Sequence, residues 1–201
     1  MKNYLFILGL CLVATTSTFA QKNSLGPFAG INSSWISHSN VEGGDVRNLI
    51  GLNVGLNYTY SNFVRFGLGA GLGFSQEGVI VKNRGVDTKT TLSYIRVPLK
   101  VIYFFNDLEN PFRPKLYVGP SFGFLTKGKV KTGGVSTDAT DFLEKFDLGL
   151  LVGTGFNYKF SPGKWFTFDL NYAHGLTPIN KVGDNRFNHA VGVTMGLAFG
   201  F

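Results

Sequence analysis

From Ala190 to the last residue the chain changes character at every step. Val191, Val193, Met195, Leu197, Phe199 and Phe201 alternate with Ala190, Gly192, Thr194, Gly196, Ala198 and Gly200. A period of two is the signature of a β-strand, whose successive side chains point to opposite faces. The same alternation runs through Ile50–Tyr60, Val64–Ser75, Tyr94–Tyr103, Leu116–Phe124, Asp147–Phe160 and Phe166–Ala173, and less regularly through Leu25–Ile36. Eight strands result, most of them about 10 to 13 residues long. One face of each is greasy. The other is built from Gly, Asn, Ser and Thr with occasional charges. Glycine supplies 27 of 201 residues, while aromatic and charged residues stand at 15% each. That balance excludes a disordered chain, a helical bundle and a coiled coil.

Strands of about 10 residues match a tilted bilayer crossing. An even number closes an antiparallel ring with both termini on one side. Closure is required, because an open edge in lipid leaves backbone groups unpaired. A soluble eight-stranded barrel is the rival fold, but it needs a charged, water-facing exterior. Here the non-greasy face is small and suits a crowded lumen better. The pattern therefore predicts an all-β, eight-stranded antiparallel up-and-down transmembrane β-barrel, of the OmpA/OmpX size, forming one domain over 21–201.

Connection lengths alternate as well. Short links are predicted at Ser61-Asn62, Asn106 to Arg113 and Ser161-Pro162-Gly163. Longer ones are predicted at about 37–48, 76–90, 127–142 and 177–187. Short periplasmic turns and long external loops are the outer-membrane pattern, which predicts an outer-membrane protein with both termini periplasmic. Tyr58, Tyr60, Phe63, Tyr103, Phe104, Phe160, Trp165, Phe166, Phe199 and Phe201 cluster at the short-turn ends, as an interfacial girdle does. Phe74, Tyr94, Phe124 and Tyr172 begin a second girdle. Pro98 and Pro120 fall inside strands, where each deletes a ladder hydrogen bond and predicts a bulge or bend.

Residues 1–20 read as a signal peptide. Lys2 precedes the apolar run Tyr4–Val13, and Thr18-Phe19-Ala20 supplies the small-x-small end, so cleavage is expected between Ala20 and Gln21. The run is too short to span a membrane as a helix. Cys11 is preceded by Leu10 rather than a small residue, which disfavours a lipoprotein signal. It is the sole cysteine, so the mature chain offers no disulfide, thiol nucleophile or Cys-ligated metal.

The formal charge is +7, but Lys and Arg are dispersed rather than gathered on one face, which argues against nucleic-acid binding. No metal motif is present: His38, His174 and His189 lack ligand spacing. Gly67–Gly73 places its glycines at every second strand residue and is not a phosphate loop. No catalytic, cofactor-binding or metal-binding residues are assigned. Parity points Arg65, Arg96, Lys100, Asp147, Lys159 and Asp169 into the lumen. Buried charge is costly unless paired. Arg96 or Lys100 is therefore expected to pair with Asp147 or Asp169 across a plugged interior.

Tyr94-Ile-Arg-Val-Pro-Leu-Lys100 resembles the Tyr-x-x-x-Pro-Leu strand of the PorT-like outer-membrane β-barrel family, which is abundant in Bacteroidota. Phe146-Asp-Leu-Gly149 and Tyr172-Ala-His-Gly-Leu-Thr-Pro178 resemble its later strands. Phe199 and Phe201 resemble the C-terminal signal read by the barrel insertion machinery. The resemblance covers nearly all of 21–201. It implies a Gram-negative outer membrane, contact with outer-membrane lipids and lipopolysaccharide, and a role supporting protein secretion or surface assembly alongside secretion-system proteins.

Three function classes follow. The first is a non-catalytic structural or interaction barrel. The second is a small solute or ion channel, although eight strands leave an interior that side chains normally fill. The third is a lipid-modifying enzyme, with His38-Ser39 or His174 and Thr177 as base and nucleophile at the outer rim. Loop 127–142 carries Lys127, Lys129 and Lys131 and would suit lipopolysaccharide phosphates or a partner protein.

Overall fold

The computed structural model describes residues 23–37, 44–61, 65–83 and 85–201. Residues 1–20, with the expected cleavage at Ala20 and Gln21, lie outside the described residues, as do His38, Ser39, Asn62 and Phe63. Among the described residues nine strands are formed: β1 (Asn23–Ile36), β2 (Gly44–Tyr60), β3 (Phe66–Asn83), β4 (Val86–Phe104), β5 (Phe112–Thr132), β6 (Val135–Asp138), β7 (Phe146–Ser161), β8 (Lys164–Gly175) and β9 (Asn188–Gly200). Every neighbouring pair is antiparallel. β1 pairs with β9 and β4 pairs with β5, so eight strands close into a ring. β6 is a short arm folded back on the tip of β5.

The greasy face points outward. Ile50, Leu52, Leu56, Leu68, Leu72, Val101, Leu116, Val118 and Met195 are all exposed on the outer wall. In water such a surface would be unfavourable, and in lipid it is the expected one. Asn23, Phe201 and the links near Ser61, Asn106 and Gly163 share one end, here the terminal end. The far end carries longer structure, because β3, β4 and β5 run well past the apolar alternation.

Segments 76–90 and 127–142, expected as loops, are mostly strand. β3 and β4 pair to Asn83↔Val86, and β5 and β6 to Thr132↔Val135. The cause is local. Val79, Ile80 and Val81 face Thr88, Lys89 and Thr90, and β-branched pairs hold a ladder without an apolar stripe. Neither proline makes a bulge. The β3–β4 ladder skips from Ala70↔Leu99 to Gly73↔Arg96 beside Pro98 and resumes in the same register. The β4–β5 ladder likewise skips Leu99 and Lys100 beside Pro120, while β5–β7 pairing continues through Pro120. Each ring faces one neighbour, so the missing N–H interrupts one side alone. The register shifts lie elsewhere: between Asn48 and Asn53, at Ser93/Tyr94 and between Lys159 and Ser161.

Three girdle assignments are corrected. Tyr94, Phe104 and Trp165 share inward parity with Arg96 and Asp169, and all three are buried in the lumen. Tyr58, Tyr103, Phe160 and Phe199 remain on the outer wall at the terminal end, and Phe124 lies against Phe146 nearer the far end.

Candidate functional site: the sealed lumen

The inward residues of β4 trace the interior from end to end: Leu92, Tyr94, Arg96, Pro98, Lys100, Ile102 and Phe104. At the far end Ile36, Val79, Leu92, Tyr94, Leu125 and Ile179 form an apolar plug. Ile179 comes from the β8–β9 connection, which tucks into the barrel mouth. At the terminal end Ile102, Phe104 and Tyr117 form a second plug. The guanidinium of Arg113 stacks on Phe104 at 3.8 Å.

Between the plugs lie two ionic layers. In the first, Arg96 holds Glu77 through two bonds, Nε to Oε1 at 2.8 Å and Nη2 to Oε2 at 2.5 Å. The same Nη2 reaches Asp147 at 2.6 Å. The Ser75 hydroxyl donates to Glu77 at 2.8 Å, the Asn32 amide donates to Ser75 at 2.9 Å, and the Asn188 amide donates to Glu77. Thr177 donates to Asp147 and accepts the Leu148 N–H. Gly123 lies under the guanidinium, whose Nη1 would be 2.6 Å from any Cβ there. The layer therefore ties β1, β3, β4, β7 and β9 together.

In the second layer Lys115 lies 2.9 and 3.1 Å from the two Asp169 oxygens and donates to Asn157 at 2.9 Å. Lys100 donates to Asn57 at 3.2 Å and sits 5.1 Å from the Tyr117 ring. A cavity of about 80 Å³ separates the layers, lined by Asn32, Asn53, Asn171, Ser121 and Thr194 together with Phe28, Pro98 and Leu151. It has room for several waters.

Of the residues assigned to the lumen, Arg96 and Asp147 meet. Asp169 pairs with Lys115 rather than with Lys100. Lys159 lies over Trp165 at 5.7 Å. Arg65 is corrected: it precedes β3, is exposed, and stands 3.7 Å from Asp107 of the neighbouring turn. A residue outside the ladder has no face to obey. Hydrogen bonding to Tyr103 and proximity to Asp107 raise its already high pKa, favouring its charged form. Sequence parity missed Glu77, Arg113 and Lys115 because the strands were ended too early.

Of the two base–nucleophile pairs considered for the rim, His38-Ser39 lies outside the described residues, and His174 and Thr177 do not meet. His174 points to the outer wall, whereas the Thr177 hydroxyl is engaged by Leu148 and Asp147. Among the described residues no three His, Cys, Asp or Glu side chains gather as a metal cluster.

The sequence family described as "Outer membrane protein beta-barrel domain" matches residues 19–181. No curated protein matches the sequence. Among solved structures, Neisserial surface protein A is 17% identical, with 90% of this chain and 97% of that chain covered and a TM-score of 0.56. OprG from Pseudomonas aeruginosa is also 17% identical, with 89% and 95% covered and a TM-score of 0.59. A major outer membrane protein from Thermus thermophilus is 14% identical, with 89% and 99% covered and a TM-score of 0.52. At these identities the likeness is one of fold.

Proposed function

This chain belongs to the outer-membrane protein β-barrel domain family, and on that premise we propose that it is a non-conducting, non-catalytic barrel that acts through the structure at its far rim. The carrying observation is the lumen, sealed by an apolar plug at each end around two paired ionic layers. A solute would have to displace both plugs and unpair buried charge, which costs several kcal/mol per ion.

In this reading residues 1–20 are removed during export and both termini are periplasmic. Phe199 and Phe201 address the barrel to its insertion machinery. The far rim, with the β3–β4 and β5–β6 hairpins, faces outward from a Gram-negative cell toward lipopolysaccharide. The connection lengths support that orientation, since the longer hairpins lie opposite Asn23 and Phe201. Lys82, Lys89, Lys127, Lys129 and Lys131 on these hairpins suit acidic partners or lipid phosphates. The PorT-like resemblance of Tyr94–Lys100 narrows the role to secretion or surface assembly in Bacteroidota.

Two measurements test the proposal. Purified barrel in a planar bilayer should give no discrete current steps in molar salt, and regular steps would overturn the sealed reading. Deleting the gene should leave lipid A unchanged and alter the set of secreted or surface proteins by mass spectrometry. Unaltered surface proteins would remove the assembly role.

A further inference from the structure

The outer wall near the far rim carries a polar cluster that plays no part in the lumen. His174 in β8 and His189 in β9 are direct cross-strand partners. Their rings are 4.7 Å apart between centroids. Tyr172 precedes His174 on the same face. Its hydroxyl lies 3.2 Å from Nδ1 of His174 and 3.3 Å from Nδ1 of His189. Trp35 of β1 covers His189 from the other side, stacked at 5.5 Å. The sequence holds three histidines, and the two described ones meet here.

We propose that His174 and His189 form a two-histidine site for a transition-metal dication of the Cu²⁺, Ni²⁺ or Zn²⁺ class. Directly opposed antiparallel residues hold their Cβ atoms about 4.5 to 5.5 Å apart, which preorganises two imidazoles for one ion. Imidazole suits these metals, whereas Mg²⁺ and Ca²⁺ require oxygen ligands, and among the described residues no carboxylate joins the pair. Each ring gives one nitrogen to the ion and the other to the Tyr172 oxygen. A hydrogen bond of that kind fixes the tautomer and orientation of ligating histidines. Remaining coordination positions stay open to water or to an external donor. Tyr172 is a positioning residue in this arrangement.

Trp35 provides the readout. Cu²⁺ bound at His189 quenches a stacked indole, while Trp165, buried in the lumen at the other end, serves as an internal reference. Folded, tag-free barrel in detergent is titrated with Cu²⁺. Wild type should show saturable quenching with one ion per chain. Trp35→Phe should abolish the signal and Trp165→Phe should keep it. His174→Gln and His189→Gln should each weaken binding about tenfold or more. Tyr172→Phe should weaken it by about tenfold. His38→Ala should leave it unchanged. The Gln variants preserve size and polarity, and unshifted gel mobility of the unboiled samples certifies their fold. Should a Gln variant fail to fold, the same titration after blocking the exposed His174 with diethylpyrocarbonate in a His38→Ala background reads the same loss. Unsaturable quenching in wild type, undiminished affinity in the His174→Gln/His189→Gln variant, or loss of binding in His38→Ala would each overturn the site.

Discussion

Arg96→Ala should be the most damaging single change to a luminal side chain, lowering barrel stability by about 3–5 kcal/mol. The guanidinium is the cation for both Glu77 and Asp147, whose side chains are 4% and 2% exposed. Removing it leaves two carboxylates facing each other with no countercharge in a lumen sealed above and below. The polar partners that remain, Ser75, Asn188 and Thr177, are oriented by the layer itself. The measurement is the fraction of unboiled, fast-migrating barrel on a gel across a urea series. A triple change, Glu77→Gln, Arg96→Met and Asp147→Asn, should recover most of the loss. Deleting a whole buried ion cluster costs far less than leaving part of it unpaired. Equal loss in the single and triple variants would mean that volume, not charge, sets the effect.

Lys115→Met should act in the same direction through Asp169, but more weakly, because Lys100 lines the same region and stands as a reserve cation. This difference between the layers follows from chemistry. A bidentate guanidinium has no substitute nearby, whereas an ammonium can be replaced by another flexible ammonium.

The sequence revealed the ring of strands because a lipid-facing wall enforces strict alternation, and parity then carried Arg96, Lys100, Asp147 and Asp169 to the inner face. Parity fails where the chain leaves the ladder, as at Arg65. It also fails where the apolar stripe is taken to mark the end of a strand. Glu77 shares its parity with Gly73 and Ser75, and Lys115 shares its own with Tyr117 and Ser121. Two more residues at each end would have placed both inside. Tyr94, Phe104 and Trp165 illustrate a different limit. An aromatic near a strand end fits a girdle or a plug equally well, and only the parity of its own strand separates them. The direct opposition of His174 and His189 depends on the β8–β9 register, which is fixed by the pairing of whole strands rather than by any local motif.

Gly119→Ala should prevent barrel formation, whereas Gly153→Ala should merely loosen it. Both glycines face inward on neighbouring strands, so composition alone ranks them equally. A Cβ at Gly119 would lie 1.9 Å from the Leu99 carbonyl oxygen and 3.2 Å from the Lys100 Cα. Those are backbone atoms of β4, at the stretch where Pro120 already interrupts the β4–β5 ladder. They can withdraw only if two strands of a closed ring separate. The cost should reach the exceptional range for a point change, about 4–5 kcal/mol or more, and little fast-migrating barrel should survive refolding. A Cβ at Gly153 would meet the Tyr117 ring instead, 2.4 Å from Cζ and 2.5 Å from the hydroxyl. That ring can swing away, so the expected loss is that of ordinary overpacking, about 1–3 kcal/mol. Shortening the obstacle should then remove that clash: the loss in Gly153→Ala with Tyr117→Val should be smaller in urea than the sum of the two single losses. Adding Tyr117→Val to Gly119→Ala should recover nothing. If the second substitution rescued both glycine variants, the close approach of β4 and β5 backbones at Gly119 would not be what excludes a side chain there.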